Sequence, residues 1–281
     1  MAFLPTTVKE LEQRGWDYVD VIFVSGDAYI DHPSFGCAVI CRYLENAGYR
    51  VAVLAQPNWK DDLRDFKKMG KPRLCFCVSS GCMDSMVNHY TAAKRKRSDD
   101  AYTAGGQAGF RPDRATIVYS NILKQLYPST PVLIGGIEAS MRRLAHYDYW
   151  SDSLMPSILL DSKADMLIYG MGEKVVSEVC NKLREGKKIE ELTDIRQSAY
   201  LCRKPIASPQ GWNDTLLPSF EQCRKDKFAQ AEAIRLFERH SNKSAVERLI
   251  QRYEKLGVSV VVNPFDRSYS GEDLDKIYSL P

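Results

Sequence analysis

The chain has 281 residues, 44% of them hydrophobic and 27% charged, proportions that suit one large soluble domain or one domain with an appendage. Lys and Arg (39) nearly balance Asp and Glu (36), and the net charge of +3 is too small to argue for a nucleic-acid partner. No signal-peptide pattern opens the sequence and no apolar run approaches membrane-spanning length, so a cytoplasmic location is expected.

The first apolar run, residues 21–25, ends at Gly26-Asp27, and a polar loop leads from there to Gly36. Cys37, Ile40, Cys41 and Leu44 then keep helical spacing until Gly48 stops the helix. A second run, 51–55, ends at Gln56-Pro57, and residues 61–69 predict a short helix with Leu63, Phe66 and Met69 inward. The third run, 74–78, ends in Ser79-Ser80-Gly81. Asp113 is placed to cap a helix carrying Ala115, Val118, Tyr119, Ile122, Leu123 and Leu126, which Pro128 ends. Runs 132–134, before Gly135-Gly136, and 166–169, before Gly170-Met171-Gly172-Glu173, complete the five. Val176, Val179, Cys180 and Leu183 mark a helix after the last. This alternation predicts an α/β fold, a doubly wound, mostly parallel five-stranded sheet of Rossmann-like type with helices on both faces.

Two connections, 84–113 and 141–163, are too long for turns, and both leave from the edge where the strands end. They are expected to cover a pocket there. From residue 189 the pattern changes. Residues 226–240 read as a helix, and Ser244-Ala245-Val246-Glu247 as a capping box opening another with Val246, Leu249, Ile250, Tyr253 and Leu256. Gly257 closes that helix, residues 258–262 read as a strand, and Ser279-Leu280-Pro281 follows without a closing helix. The expected division is a Rossmann-like domain over 1–188 and a helical and β connector over 189–281.

Ligands of such sheets bind outside the carboxyl ends of the strands. The candidate contacts are therefore Asp27, His32, Ser79, Ser80, Gly135, Gly136, Glu138, Gly172 and Glu173. Gly135 and Gly136 permit close backbone approach, and Glu138 offers a carboxylate to a hydroxyl or amine. Gly172-Glu173 opens a helix whose amides could hold an anion, although the third glycine of a dinucleotide fingerprint is missing. Asp27, Asp31 and His32 allow general-base chemistry, a metal half-site, or a cap and a backbone-bonded histidine, and the last is favoured. The basic run Lys94-Arg95-Lys96-Arg97, answered by Asp99-Asp100, reads as a solvated loop tip. The eight cysteines read as thiols. Cys37 and Cys41 begin a C-x3-C-x2-C iron–sulfur loop, but Leu44 takes its third position, so no catalytic or metal-ligating residue is assigned. Cys75 and Cys77 share a buried strand face.

Several of these segments together resemble one family. Gly26-Asp27-Ala28-Tyr29-Ile30-Asp31-His32-Pro33-Ser34-Phe35-Gly36, Met83-Asp84-Ser85-Met86-Val87-Asn88, Arg111-Pro112-Asp113-Arg114-Ala115, Gly135-Gly136-Ile137-Glu138-Ala139-Ser140 and Leu217-Pro218-Ser219-Phe220 look like the N-terminal region of YgiQ-type radical SAM proteins. The resemblance runs from residue 3 to 281. It implies a cobalamin-binding-like accessory domain capping a core that cleaves AdoMet to a 5′-deoxyadenosyl radical. The four-iron four-sulfur cluster and AdoMet would belong to that core, in the same chain or a separate polypeptide, and not to this segment. The alternative is a non-catalytic module holding a corrinoid or nucleotide and acting by docking. Axial histidine ligation of a corrinoid is not expected, because Asp31 and His32 are adjacent, whereas corrinoid-binding domains that use such a histidine carry D-x-H-x-x-G. A third reading is a stand-alone hydrolase using Asp27 and His32.

Overall fold

A computed structural model describes residues 3–205, 207–242, 246–266 and 269–281. Helix α1 (Val8–Gln13) is closed at its start by a Thr7–Glu10 capping box. The chain then runs β1 (Val21–Ser25), α2 (Gly36–Asn46), β2 (Val51–Ala55), α3 (Arg64–Lys67) and β3 (Cys75–Ser79). Next come α4 (Ser85–His89), α5 (Ala115–Leu126), β4 (Val132–Gly135) and α6 (Gly136–Met141). A small hairpin of β5 (His146–Asp148) and β6 (Ser153–Met155) precedes α7 (Ile158–Ser162), β7 (Met166–Ile168) and α8 (Glu173–Arg184).

Strands β2-β1-β3-β4-β7 are parallel neighbours in that order, the five-stranded sheet the sequence predicts. Their residues are buried on both faces, which is why they read as unbroken apolar runs and not as alternations. Ile22, Val24, Leu54, Phe76, Val78 and Ile134 face α3, α5 and α7, packing with Phe66, Tyr119, Leu123 and Leu159. Val21, Phe23, Val53, Cys77, Leu133 and Ile168 face α2 and α8, against Cys41, Leu44, Val176 and Val179. The sheet is therefore doubly wound.

Beyond β7 the same sheet continues through β8 (Ser198–Cys202), β11 (Val258–Val262), β10 (Glu247–Tyr253) and β9 (Asn213–Leu216), to nine strands. β8, β11 and β10 join antiparallel, and β9 lies parallel to β10. Helices α9 (Phe220–Lys225) and α10 (Lys227–Asn242) precede β10, and α11 (Gly271–Tyr278) follows β11. Among the described residues no helix is long and apolar enough to cross a membrane.

Four local expectations are corrected. Residues 247–253 are a strand, not a helix. Leu249 and Tyr253 are four apart, a spacing that puts both on one face of either element, so the periodicity could not separate them. Pairing on both sides decides it, with Ile250 and Arg252 on the opposite face. Ser244 and Ala245 of the expected capping box lie outside the described residues, and Gly257, at φ +59°, turns the β10–β11 hairpin. Residues 271–278 do form a helix, opened by a Ser270–Asp273 capping box. Helix α3 is shorter than 61–69, because Asp61 and Asp62 bond the amides of Leu63 and Arg64 and hold the chain in turns. Asp113 does not cap α5, whose first turn is closed from elsewhere.

Candidate functional site

Register decides where the polar strand ends meet. Ser25 is paired with Ser79, and Ser79 with Gly135, so β1, β3 and β4 end flush on one rim. The chain leaves β1 toward β2 on one side while β3 lies on the other, which makes β1/β3 the switch point where such sheets open a crevice. Two cavities of about 270 and 260 Å³ open there and share Gly36, Ser79 and Gly136. The larger has an apolar floor of Phe23, Ile40, Val78, Leu133, Ile168 and Val176. The smaller is polar at one end, with Ser25, Asp27, Ser79 and Cys82.

Gly136 sits at φ +79° where an added Cβ would come 2.6 Å from Ser79 Oγ, so the crevice wall requires glycine. Gly172 is the first cap of α8 and, with Glu173, lines the larger cavity. The helix end is not a free anion site. The Lys174 amide donates to Tyr269 Oη at 3.1 Å, and that hydroxyl lies 3.0 Å from Glu173 Oε2.

Of the nine candidates, Asp27, Ser79, Gly135, Gly136, Gly172 and Glu173 line the crevice. Asp27 is held by Arg111, with Oδ1 2.9 Å from Nη1, and Oδ2 accepts the Cys82 amide at 2.6 Å. Arg111 is wholly buried and also donates to Ser80 O at 2.6 Å and to both oxygens of Asp100. Burial pushes the Asp27 carboxyl above its usual range, opposed by the Arg111 charge. Burial, then the Asp27 carboxylate, pushes the Cys82 thiol up to about 12, so it stays protonated at neutral pH.

The other three do not line the crevice. His32 is exposed and its Nδ1 accepts the Ser34 amide at 3.1 Å, while Asp31 is held by Arg42. With Asp27 turned inward on Arg111, the two do not form a hydrolytic pair. Ser80 is buried, its hydroxyl donating to Met83 O at 2.9 Å. Glu138 is 1% exposed and points to the opposite side, accepting the Ser85 amide (2.8 Å), the Ser85 hydroxyl (2.5 Å) and the Thr116 amide (2.9 Å). This carboxylate closes the first turns of α4 and α5, the role expected of Asp113. Asp113 instead accepts from His89 and Tyr90. Glu138→Ala should strand three buried donors and lower the unfolding free energy by about 3 kcal/mol. Glu138→Gln, which keeps an acceptor oxygen, should lose less, as urea titration of both variants would show.

Arg111 is the residue that sequence reasoning missed. It stood inside a recognised motif, but nothing local marks an arginine as buried. The two long excursions also behave otherwise than expected. None of the crevice-lining residues comes from 84–113 or 141–163. The excursions pack on each other: the Tyr90 and Trp150 rings are 4.8 Å apart, Tyr149 Oη donates to Ala92 O, and Arg114 pairs with Asp148.

Cys75 and Cys77 are buried on one face, as alternation predicts, and the fold adds Cys180, whose sulfur lies 4.0 Å from that of Cys75. Burial and neighbouring thiols push Cys41 and Cys75 up. Among the described residues no group of three Cys, His, Asp or Glu side chains is gathered to hold a metal ion. The described thiols are therefore not arranged to hold an iron–sulfur cluster.

The radical SAM N-terminal family matches residues 3–281. A UPF0313 protein of Bacteroides thetaiotaomicron is 53% identical over 290 residues, covering 99% of this chain and 46% of its own length. A UPF0313 protein of Porphyromonas gingivalis is 52% identical over 280 residues, covering 99% and 44%. This chain thus spans a little under half the length of these relatives. Among solved structures, the radical S-adenosylmethionine methyltransferase TsrM from Kitasatospora setae, with tryptophan substrate and an S-adenosylmethionine analogue bound, has a TM-score of 0.42 at 18% identity, covering 64% of this chain and 28% of its own.

Proposed function

Because this chain belongs to the radical SAM N-terminal family, we propose that it is the accessory domain of a radical SAM iron–sulfur protein and caps a core that cleaves AdoMet to a 5′-deoxyadenosyl radical. The cluster and AdoMet belong to the core, and the greater length of the relatives supports a core in the same polypeptide. Residues 1–188 supply the crevice, and 189–281 connect it toward the core. The proposed setting is the cytoplasm, where eight free cysteines stay reduced.

The observation that carries this reading is the flush rim of Ser25, Ser79 and Gly135 with its crevice, half apolar and half polar. Such a mouth suits a small ligand presented to chemistry performed elsewhere. This chain orients the ligand and excludes water, while the cofactor of the core supplies the radical. A corrinoid in the crevice would lack a lower axial histidine, since no described histidine lines either cavity.

A photo-crosslinking residue at Ile137 or Met171, both exposed on the crevice rim, tests the reading in the full-length protein. Cross-links to the core are expected from both positions and none from Phe228, which is 86% exposed on α10. Cross-links from Phe228 but not from the rim would refute the capping arrangement.

A further inference from the structure

The basic run at 94–97 is not a loose tip. The Arg97 amide donates to His89 O at 2.8 Å, and Tyr90 and Lys96 form a β-bridge, so both cations are held against the segment that follows α4. They border a cavity of about 250 Å³, separate from the crevice and lined also by Trp59, Lys60, His89 and Arg111.

Cations outnumber carboxylates in its wall, Lys60, Lys96 and Arg97 against Asp113. Lys96 and Arg97 form no salt bridge among the described residues. Lys60 rests 5.0 Å over the Trp59 ring, with Nζ near Gly109 O. Asp113, the carboxylate in the wall, accepts from Tyr90 at 2.7 Å, lies 2.6 Å from His89 Nδ1 and also interacts with the Lys96 charge. His89 and Arg111, both more than nine-tenths buried, back the wall. Beside the cations stands an indole fixed by its bond to Phe110 O at 3.0 Å.

We propose that this cavity binds a nucleotide, with the phosphate among Lys60, Lys96 and Arg97 and the base against Trp59. Cations in a fork suit a phosphate, and an aromatic face suits any base, so the site recognises the class rather than one member. The inference is independent of the proposed role of the crevice.

The probe is adenosine 5′-monophosphate, titrated into the protein while tryptophan fluorescence and binding heat are recorded, with adenosine and inorganic phosphate as comparisons. Saturable quenching is expected. Adenosine and inorganic phosphate should each bind at least about tenfold more weakly, as should the monophosphate to the double variant Lys96→Ala/Arg97→Ala. Both substituted residues are exposed, and an unchanged melting temperature would show that the variant is folded. Trp59→Leu should abolish the quenching and weaken the binding heat. No binding up to about 10 mM, or unaltered affinity in the double variant, would overturn the site. Equal affinity for inorganic phosphate would overturn its assignment to a nucleotide.

Discussion

Replacing Arg111 by methionine is expected to lower the unfolding free energy by about 3–5 kcal/mol at neutral pH, the cost of breaking a buried ion network from one side. Arg111 is fully buried between Asp27 and Asp100, both nearly buried themselves, and it also satisfies the Ser80 carbonyl at the end of β3. Methionine fills much of the volume but leaves two carboxylates with no counter-charge. The pH dependence distinguishes this from a packing defect. In the native protein the Asp100 carboxyl lies below its usual range: burial raises it, but the Tyr102 amide and Arg111 together lower it further. Its contribution is therefore present above the unfolded pKa and fades as pH falls through the lower folded value. Without Arg111 both carboxyls titrate above their unfolded values, so the variant loses stability as pH rises through that window. The deficit measured by urea unfolding should thus be larger at pH 7 than at pH 4. A deficit that stays constant with pH would refute the ionic account.

Gly26→Ala and Gly81→Ala are expected to be the most damaging single-methyl additions around the crevice. At Gly26 a Cβ would lie 2.1 Å from the Ser80 carbonyl oxygen, a backbone atom that cannot swing aside. At Gly81 it would lie 2.0 Å from Asp27 Oδ1, and the backbone there is at φ +109°, a conformation that side chains disfavour. Each change forces the ends of β1 and β3 apart, at a cost of about 3 kcal/mol from overpacking, with added strain at Gly81. Gly15→Ala is the useful contrast. Its φ is +66° but nothing lies within 4 Å, so it reports strain without collision. Thermal unfolding of the three variants should rank Gly15→Ala well above the other two.

Much of the site was legible because strand ends are local facts. The apolar runs at 21–25, 74–78 and 132–134 end where small and polar residues begin, and parallel pairing in register brings those ends to one rim. What was not legible is which way each side chain turns. Glu138 follows Gly135-Gly136 and reads as a rim carboxylate, but α6 begins at Gly136 and carries it inward to the amides of Ser85 and Thr116. His32 reads more readily as a backbone-bonded histidine than as a partner for Asp27, and its Nδ1 does accept the Ser34 amide. The same loss of direction explains the excursions. Both read as cover for a pocket, but Tyr90 of one packs on Trp150 of the other.

By itself the sequence determined the five parallel strands, the helices that alternate with them and the edge on which a ligand would sit, because periodicity and glycine placement act over a few residues. It also carried the family. Only the tertiary structure decided that β8, β9, β10 and β11 extend the sheet to nine strands, since residues 247–253 satisfy helix and strand periods alike until a neighbouring strand offers its hydrogen bonds. It likewise decided that Arg111 is buried and that Lys96 and Arg97 border a cavity, because charge burial depends on counter-charges delivered by distant segments, here the ends of β1 and of the first excursion.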